Sequence, residues 1–532
     1  MAGLNRTAQS IAVKKLLSSM SFGIMTLGAA LGVTPAVAHA QTTAPASKSD
    51  TDAATTQTKM TREQSKALFK SVDEILAFAS KDSKLPIQHS VKRTLISREE
   101  VSKFLRQKFD EDESTKRLQR SEIVLKKFGL LDHDFHLRPF LVSLLTEQIA
   151  GYYDDKTKTV NLLDWIAPDE QKPVLAHELT HALQDQAVDL SKWSDMEVKG
   201  IARTAQQDSQ HIQFDESDTA REAVTEGQAM AVFVDYGMQS TGKTIADAPE
   251  MGDKLKELTD DTSGSPILAR APLLLQQSLL FPYSDGLAFE HHILVKSGRE
   301  VAFAGVLARP PSSSYEIIHP EAYLARSPVS VLRLPDIHPL IDEEYTPYDV
   351  GVMGELDVRI LAELFGGPEI AKALSPAWKG GVYYAAQRKS AVTPEQKEST
   401  ASIGLVYYSK WANEDSARSF MRIYSGQLPR KYSGLVRRNK DEADDSEEVY
   451  TTNEGDVLLS ISGNGVFVGE GFNLALARKL RDSIASVQSD GPLQIASSPA
   501  PESSPALSLS RLLSGCGALK AGLHGRYTLQ RN

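Results

Sequence analysis

The chain of 532 residues holds a single cysteine, Cys516. An internal disulfide framework is excluded, so stability must come from core packing. An excess of positive charge is also missing. Lys and Arg number 59 against 69 Asp and Glu, a formal net charge of −10. That balance gives no reason to expect nucleic acid as a partner. Past the first forty residues no run is long and apolar enough to span a membrane. No repeat period is present, which removes solenoids and propellers. What remains is an ordinary globular composition, 41% hydrophobic and 24% charged. The length allows a large core and more than one domain.

Residues 1–40 have the features of a secretory signal peptide. Arg6, Lys14 and Lys15 form a positive start, Leu16 to Val33 is mostly apolar, and Ala38-His39-Ala40 is an A-x-A cleavage site before Gln41. An uncleaved anchor is the alternative. Cleavage removes three positive charges and no negative ones, taking the net charge from −10 to −13. The expected location is exported, periplasmic or extracellular, with no stable membrane span after cleavage. Leu513-Ser514-Gly515-Cys516 has the form of a lipoprotein attachment box but lies far from any signal peptide.

The chemistry is concentrated in His177-Glu178-Leu179-Thr180-His181. On a helix, residues four apart share a face, so both imidazoles can reach one metal ion. The glutamate between them stands beside that face, where it can activate water as a general base. No Gly or Pro interrupts the segment after Pro173, which suits a first turn with Asp169 and Glu170 before it. Val174, Leu175, Ala182 and Leu183 supply apolar surface.

Catalytic zinc needs a third protein ligand. The extended pattern HExxHxxGxxH does not supply it, because Gln184 and Ala187 stand where its glycine and last histidine would be. The best source is the segment from Ala220 to Phe233, rich in Ala, Val and Met, with Glu222 and Glu226 one turn apart. Glu226 is the favoured ligand and Glu222 the alternative; the other could hydrogen-bond a ligand histidine. Gly227 would let the two backbones pack closely. Asp185, one turn after His181, is a candidate to orient an imidazole. Tyr315 and His319 are candidates to donate to the developing oxyanion. His291 and His292 are adjacent, point about 100° apart on a helix and make a poor metal pair.

The HExxH segment with a later glutamate resembles the gluzincin class of metallopeptidases. The likeness extends to a group of secreted bacterial metallopeptidase-like proteins through Gly151-Tyr152-Tyr153-Asp154 and His177 to Gln186. Leu280-Phe281-Pro282-Tyr283 with Gly286 and Pro310-Pro311-Ser312-Ser313-Ser314 leading to His319-Pro320-Glu321 also carry it. So does Ala377-Trp378-Lys379-Gly380, although Gly381 replaces an expected aspartate. It covers roughly residues 140 to 390. The resemblance implies Zn²⁺ held by His177, His181 and a glutamate, with Glu178 as base.

The expected fold class is α+β: a mostly helical, zincin-like core with a short antiparallel hairpin, plus a small C-terminal α+β sandwich. Residues 41–60 are expected to form a flexible linker and 61–394 the metallopeptidase domain with a helical N-terminal region. Residues 148–163 should form the hairpin, and the polar stretch 186–219 a surface insertion. Residues 395–487 should form the small domain, with strand, helix, two strands and helix in order. The acidic run Asp441 to Glu448 is expected to be a solvated loop, and the Ser/Pro-rich residues 488–532 a disordered tail. The leading functional expectation is a zinc-dependent peptidase acting on a peptide or protein substrate. The alternatives are a non-catalytic metallopeptidase-like envelope binding or assembly module and a hydrolase of cell-wall peptide amides.

Overall fold

The computed structural model describes residues 59–493, except 111–112, 149–150, 194–199, 252–253, 255, 257–259, 261–264, 330 and 439–445. The expected signal segment, nearly all of the expected linker, Cys516, most of the expected tail and Asp441 to Asp445 lie outside the described residues.

Thr61 opens the first helix, α1 (Arg62–Ser83), by a reciprocal cap. Its hydroxyl accepts from the Gln64 amide, and the Gln64 side chain accepts from Thr61 N at 2.8 Å. Leu68, Val72, Ile75 and Leu76 form its buried stripe. A strand that periodicity did not signal follows, β1 (Lys92–Ile96). Ser97 and Glu100 then cap α2 (Arg98–Asp110) in the same reciprocal way. Helices α3 (Glu113–Phe128) and α4 (Leu137–Gln148) complete the N-terminal region.

The expected hairpin is present as β2 (Tyr152–Asp154) and β3 (Thr159–Leu163). Asp154 closes its turn by accepting from Lys156 N and Thr157 Oγ1 at 3.0 and 2.8 Å. Because β1 pairs parallel to β3, the small sheet runs β1-β3-β2 and leaves β2 at an edge.

Three long helices form the centre: α5 (Pro168–Val188), α6 (Ala205–Met238) and α7 (Leu273–Ser297). Helix α5 starts at Pro168 rather than Pro173, with Ala167 as its cap residue. Gln171 ties its first turns to the small sheet, exchanging two hydrogen bonds with the Leu163 backbone at 2.9 and 3.0 Å.

Helix α6 corrects an expectation. Its first half occupies residues 205–219, assigned above to a surface insertion. The polarity there serves half-buried contacts. Asp215 Oδ2 accepts from Val352 N at 2.7 Å, and Glu216 Oε2 accepts from Ser314 N and Oγ at 3.1 and 2.7 Å. Glycines make room for both. A Cβ on Gly351 would stand 2.3 Å from Asp215 Oδ2, and one on Gly354 2.2 Å from Glu216 Oε2.

Glu216 also sets a pH response. Burial first, and then the neighbouring Asp357 carboxyl, push its pKa from 4.5 up to about 8. Between those values the folded chain holds a proton that the unfolded chain has lost, so stability falls as pH rises through that window. Glu216→Gln is expected to flatten this slope and to raise Tm above about pH 8 by roughly 2 °C or more. Melting curves across pH check it; parallel wild-type and variant profiles would remove Glu216 as the source.

Short helix α8 (Ser314–Ile318) and helix α9 (Glu355–Gly366) lead into a seven-stranded antiparallel sheet. Its strands are β4 (Tyr345–Gly351), β5 (Trp378–Arg388), β6 (Ile403–Trp411), β7 (Val436–Arg437), β8 (Glu447–Thr452), β9 (Gly455–Ser462) and β10 (Gly465–Phe472), in spatial order β4-β5-β6-β10-β9-β8-β7. Helices α10 (Glu414–Lys431) and α11 (Leu474–Val487) cover opposite faces. Leu405, Tyr407, Leu459 and Val468 join Phe420 and Tyr424 in a core continuous with the three central helices. Val406, Tyr408, Leu458 and Phe467 face the other way, onto Ala477, Leu480 and Ile484. This period-two division buries β6 and β10 on both sides.

Two expectations change here. Residues 447–472 hold three strands rather than two, since Asn453-Glu454 and Gly463-Asn464 each turn the chain. The expected boundary between 394 and 395 falls between hydrogen-bonded strands β5 and β6, because the sheet also takes β4 and β5 from earlier residues. Among the described residues no helix is long and apolar enough to cross a membrane.

Candidate metal centre

Helix α5 carries His177 and His181 one turn apart toward α6, which carries Glu226. His177 Nε2 lies 2.9 Å from His181 Nε2 and 2.9 Å from Glu226 Oε2; His181 Nε2 lies 3.5 Å from Glu226 Oε1. All three side chains are buried. Two imidazole nitrogens and a carboxylate therefore converge on one point and could hold a metal ion. In a tetrahedral zinc site, bonds of about 2.0–2.2 Å place neighbouring ligand atoms roughly 3.3–3.6 Å apart. The separations here need only tenths of an ångström of adjustment, so the donor set fits such an ion. Glu222, the alternative, sits one turn before Glu226, buried but outside the cluster.

The approach of the helices is set by glycine. A Cβ on Gly227 would lie 2.2 Å from the Gly286 carbonyl oxygen, and one on Gly286 2.3 Å from that of Ala223. Helices α6 and α7 thus touch backbone to backbone beside Glu226. Tyr283, one turn before Gly286, lays its ring nearly parallel to His177 at 6.4 Å.

Glu178 is held from the hairpin. The Tyr153 amide of edge strand β2 donates to Glu178 Oε2 at 2.9 Å. The hairpin is in turn clamped to α5 by Asp185, which accepts from Tyr153 Oη and Lys158 Nζ, both at 2.7 Å, and from Leu190 N at 3.1 Å. Asp185 therefore departs from the role expected of it. It binds the hairpin instead of an imidazole, and the residue that meets His181 is Gln184, with Oε1 2.9 Å from Nδ1. Gln184 was noted in the sequence only as the residue that breaks the longer zinc pattern. Its spacing, three residues after His181 on the same helix, permits the contact, but its other partners, Thr225 and Gln228, lie on a helix more than forty residues away in sequence. Asp185→Asn should loosen the clamp and destabilise the chain by about 1–3 kcal/mol. Denaturant unfolding checks it, and unaltered stability would remove Asp185 as the tie between hairpin and helix.

Tyr315 and His319 have partners of their own, none of them a member of the three-residue cluster. Helix α8 packs on α6 at Glu216, ten residues or about 15 Å of helix before Glu226. His319 Nε2 contacts Glu355 Oε2 at 2.8 Å, and Tyr315 packs on His319, Trp378 and Lys379. His291 contacts the carbonyls of Ile245 and Ala248 at 3.2 Å, and His292 pairs with Glu321 at 3.1 Å. Both act as structural histidines.

Compared with known proteins, the chain matches no family model, no curated protein and no solved structure.

Proposed function

We propose that this chain is a zinc-dependent peptidase in which Glu178 is the general base. The observation that carries the reading is the convergence of His177, His181 and Glu226, with a carboxylate on the same helix held by a backbone amide. Two imidazoles and a carboxylate suit Zn²⁺. When bound, the ion supplies Lewis acidity, acidifying water and polarising the scissile carbonyl. The Tyr153 amide fixes Glu178 Oε2, and the carboxylate takes a proton from the attacking water. Glu178 then hands that proton to the leaving amine. Asp185 keeps the hairpin, and with it the Tyr153 amide, in register with the motif helix. The N-terminal segment supports action on peptides or proteins outside the cytoplasm.

The test is metal analysis of purified protein, followed by cleavage of a mixed peptide library with and without a chelator. Expected are bound zinc, cleavage, loss of cleavage on chelation and recovery with added Zn²⁺. Zinc with no turnover of peptides or cell-wall peptide amides would overturn the enzymatic reading in favour of a binding module.

A further inference from the structure

Beyond the three ligands, a line of hydrogen bonds leaves His181 and ends at Ala302 and Phe303. Gln184 Oε1 meets His181 Nδ1 at 2.9 Å. Gln184 Nε2 donates to Gln228 Oε1 at 2.9 Å and to the Thr225 carbonyl at 3.0 Å. Gln228 Nε2 donates to the carbonyls of Ala302 and Phe303 at 2.8 and 3.1 Å. Both glutamines are wholly buried, at 0% exposure. The last two carbonyls belong to a π-helical turn, Val301–Gly305, a rare widening that often marks functional positions.

We propose that Gln184 and Gln228 form a one-way relay that fixes His181 as its Nδ1–H tautomer and so turns the Nε2 lone pair to the metal. The polarity follows from the far end. A peptide carbonyl only accepts, so the NH₂ of Gln228 must face Ala302 and Phe303. Its Oε1 then faces Gln184, whose NH₂ must point to it. The Thr225 carbonyl imposes the same choice on Gln184 independently. Gln184 can therefore offer His181 only an acceptor, and Nδ1 must carry the hydrogen. Neither glutamine touches a reacting atom; both are positioning residues. Buried amides with every hydrogen bond directed resist flipping, because a flip would set oxygen against oxygen at the π turn. The inference rests on the metal-centre part of the proposed function and is independent of turnover.

The test uses full-length, metal-free, ¹⁵N-histidine-labelled protein, with the His181 signal assigned by its loss in His181→Gln. Wild type is expected to show Nδ1–H and unprotonated Nε2 at His181. Gln184→Met, close in volume, removes the acceptor that faces His181 Nδ1. Mixed tautomers and a zinc Kd raised roughly 10-fold are expected. Gln228→Met leaves only the Thr225 carbonyl to orient Gln184, should move both readouts in the same direction by less, and carries the test if Gln184→Met does not fold. Adding Gln184→Glu to Gln228→Met should restore the Nδ1–H signal, because a carboxylate only accepts. A packing role alone would not give this rescue. An Nε2–H signal in wild type, or unchanged tautomer and Kd within twofold in the Met variants, would overturn the proposal. Lack of peptidase activity in wild type would count against the proposed function and leave these readouts standing.

Discussion

Glu178→Gln is expected to retain the bound metal and to lose peptide hydrolysis by about 10²–10⁴-fold. The substitution is close to isosteric, and the amide oxygen can still accept from Tyr153 N, now found at 2.9 Å from Glu178 Oε2. The candidate ligands His177, His181 and Glu226 are untouched. What disappears is a group able to take a proton from water and give it to an amine. A drop in kcat with unchanged zinc stoichiometry isolates that loss. Full activity in the variant would end the role assigned to Glu178, whatever the fate of the metal.

A comparable loss is expected from a single methyl group at Gly227, this time through the architecture. Its Cβ would meet the Gly286 oxygen at 2.2 Å, the carbonyl carbon at 2.4 Å and Cα at 3.0 Å. All three are backbone atoms, so no side chain can rotate away. Relief requires α6 and α7 to separate, and Glu226 is the adjacent residue. Gly227→Ala should destabilise the chain by about 1–3 kcal/mol or more, and weaken zinc binding because the carboxylate moves with its helix. The same helix contains its own control. A Cβ on Gly237 meets nothing within 4 Å, so Gly237→Ala should be neutral or stabilising by up to about 1 kcal/mol. Denaturant unfolding with and without Zn²⁺ measures both. Equal stabilities for the two variants would contradict the close backbone approach.

The metal cluster was largely legible in sequence because its physics is local. The four-residue spacing of His177 and His181 needs only a helix, and the Glu-Gly pair at 226–227 combines a ligand with a means of approach. The polar half of α6 was hidden for the opposite reason. Asp215 and Glu216 look like solvated residues unless the loop around Gly351 and Gly354 is known to enclose them. The role of Asp185 misled in a similar way, since its position one helical turn after a ligand says nothing about a hairpin lysine and tyrosine arriving from residues 153–158. Strand β1 escaped notice because only Ile96 of its residues is buried and its pairing with β3 spans more than sixty residues. Helices α10 and α11 were readable from their own apolar spacing, whereas one of the two turns between Glu447 and Phe472 was missed although Asn453-Glu454 and Gly463-Asn464 are both ordinary turn residues.

The sheet that straddles residue 394 bears on how this molecule could be shortened. A chain stopped there would retain β5 without the neighbour that satisfies its main-chain groups. Such a ragged margin invites recruitment of another copy, so trimming toward the three central helices would yield an adhesive fragment instead of a minimal domain. The His–Glu cluster and the C-terminal sheet are inherited as a single mechanical unit.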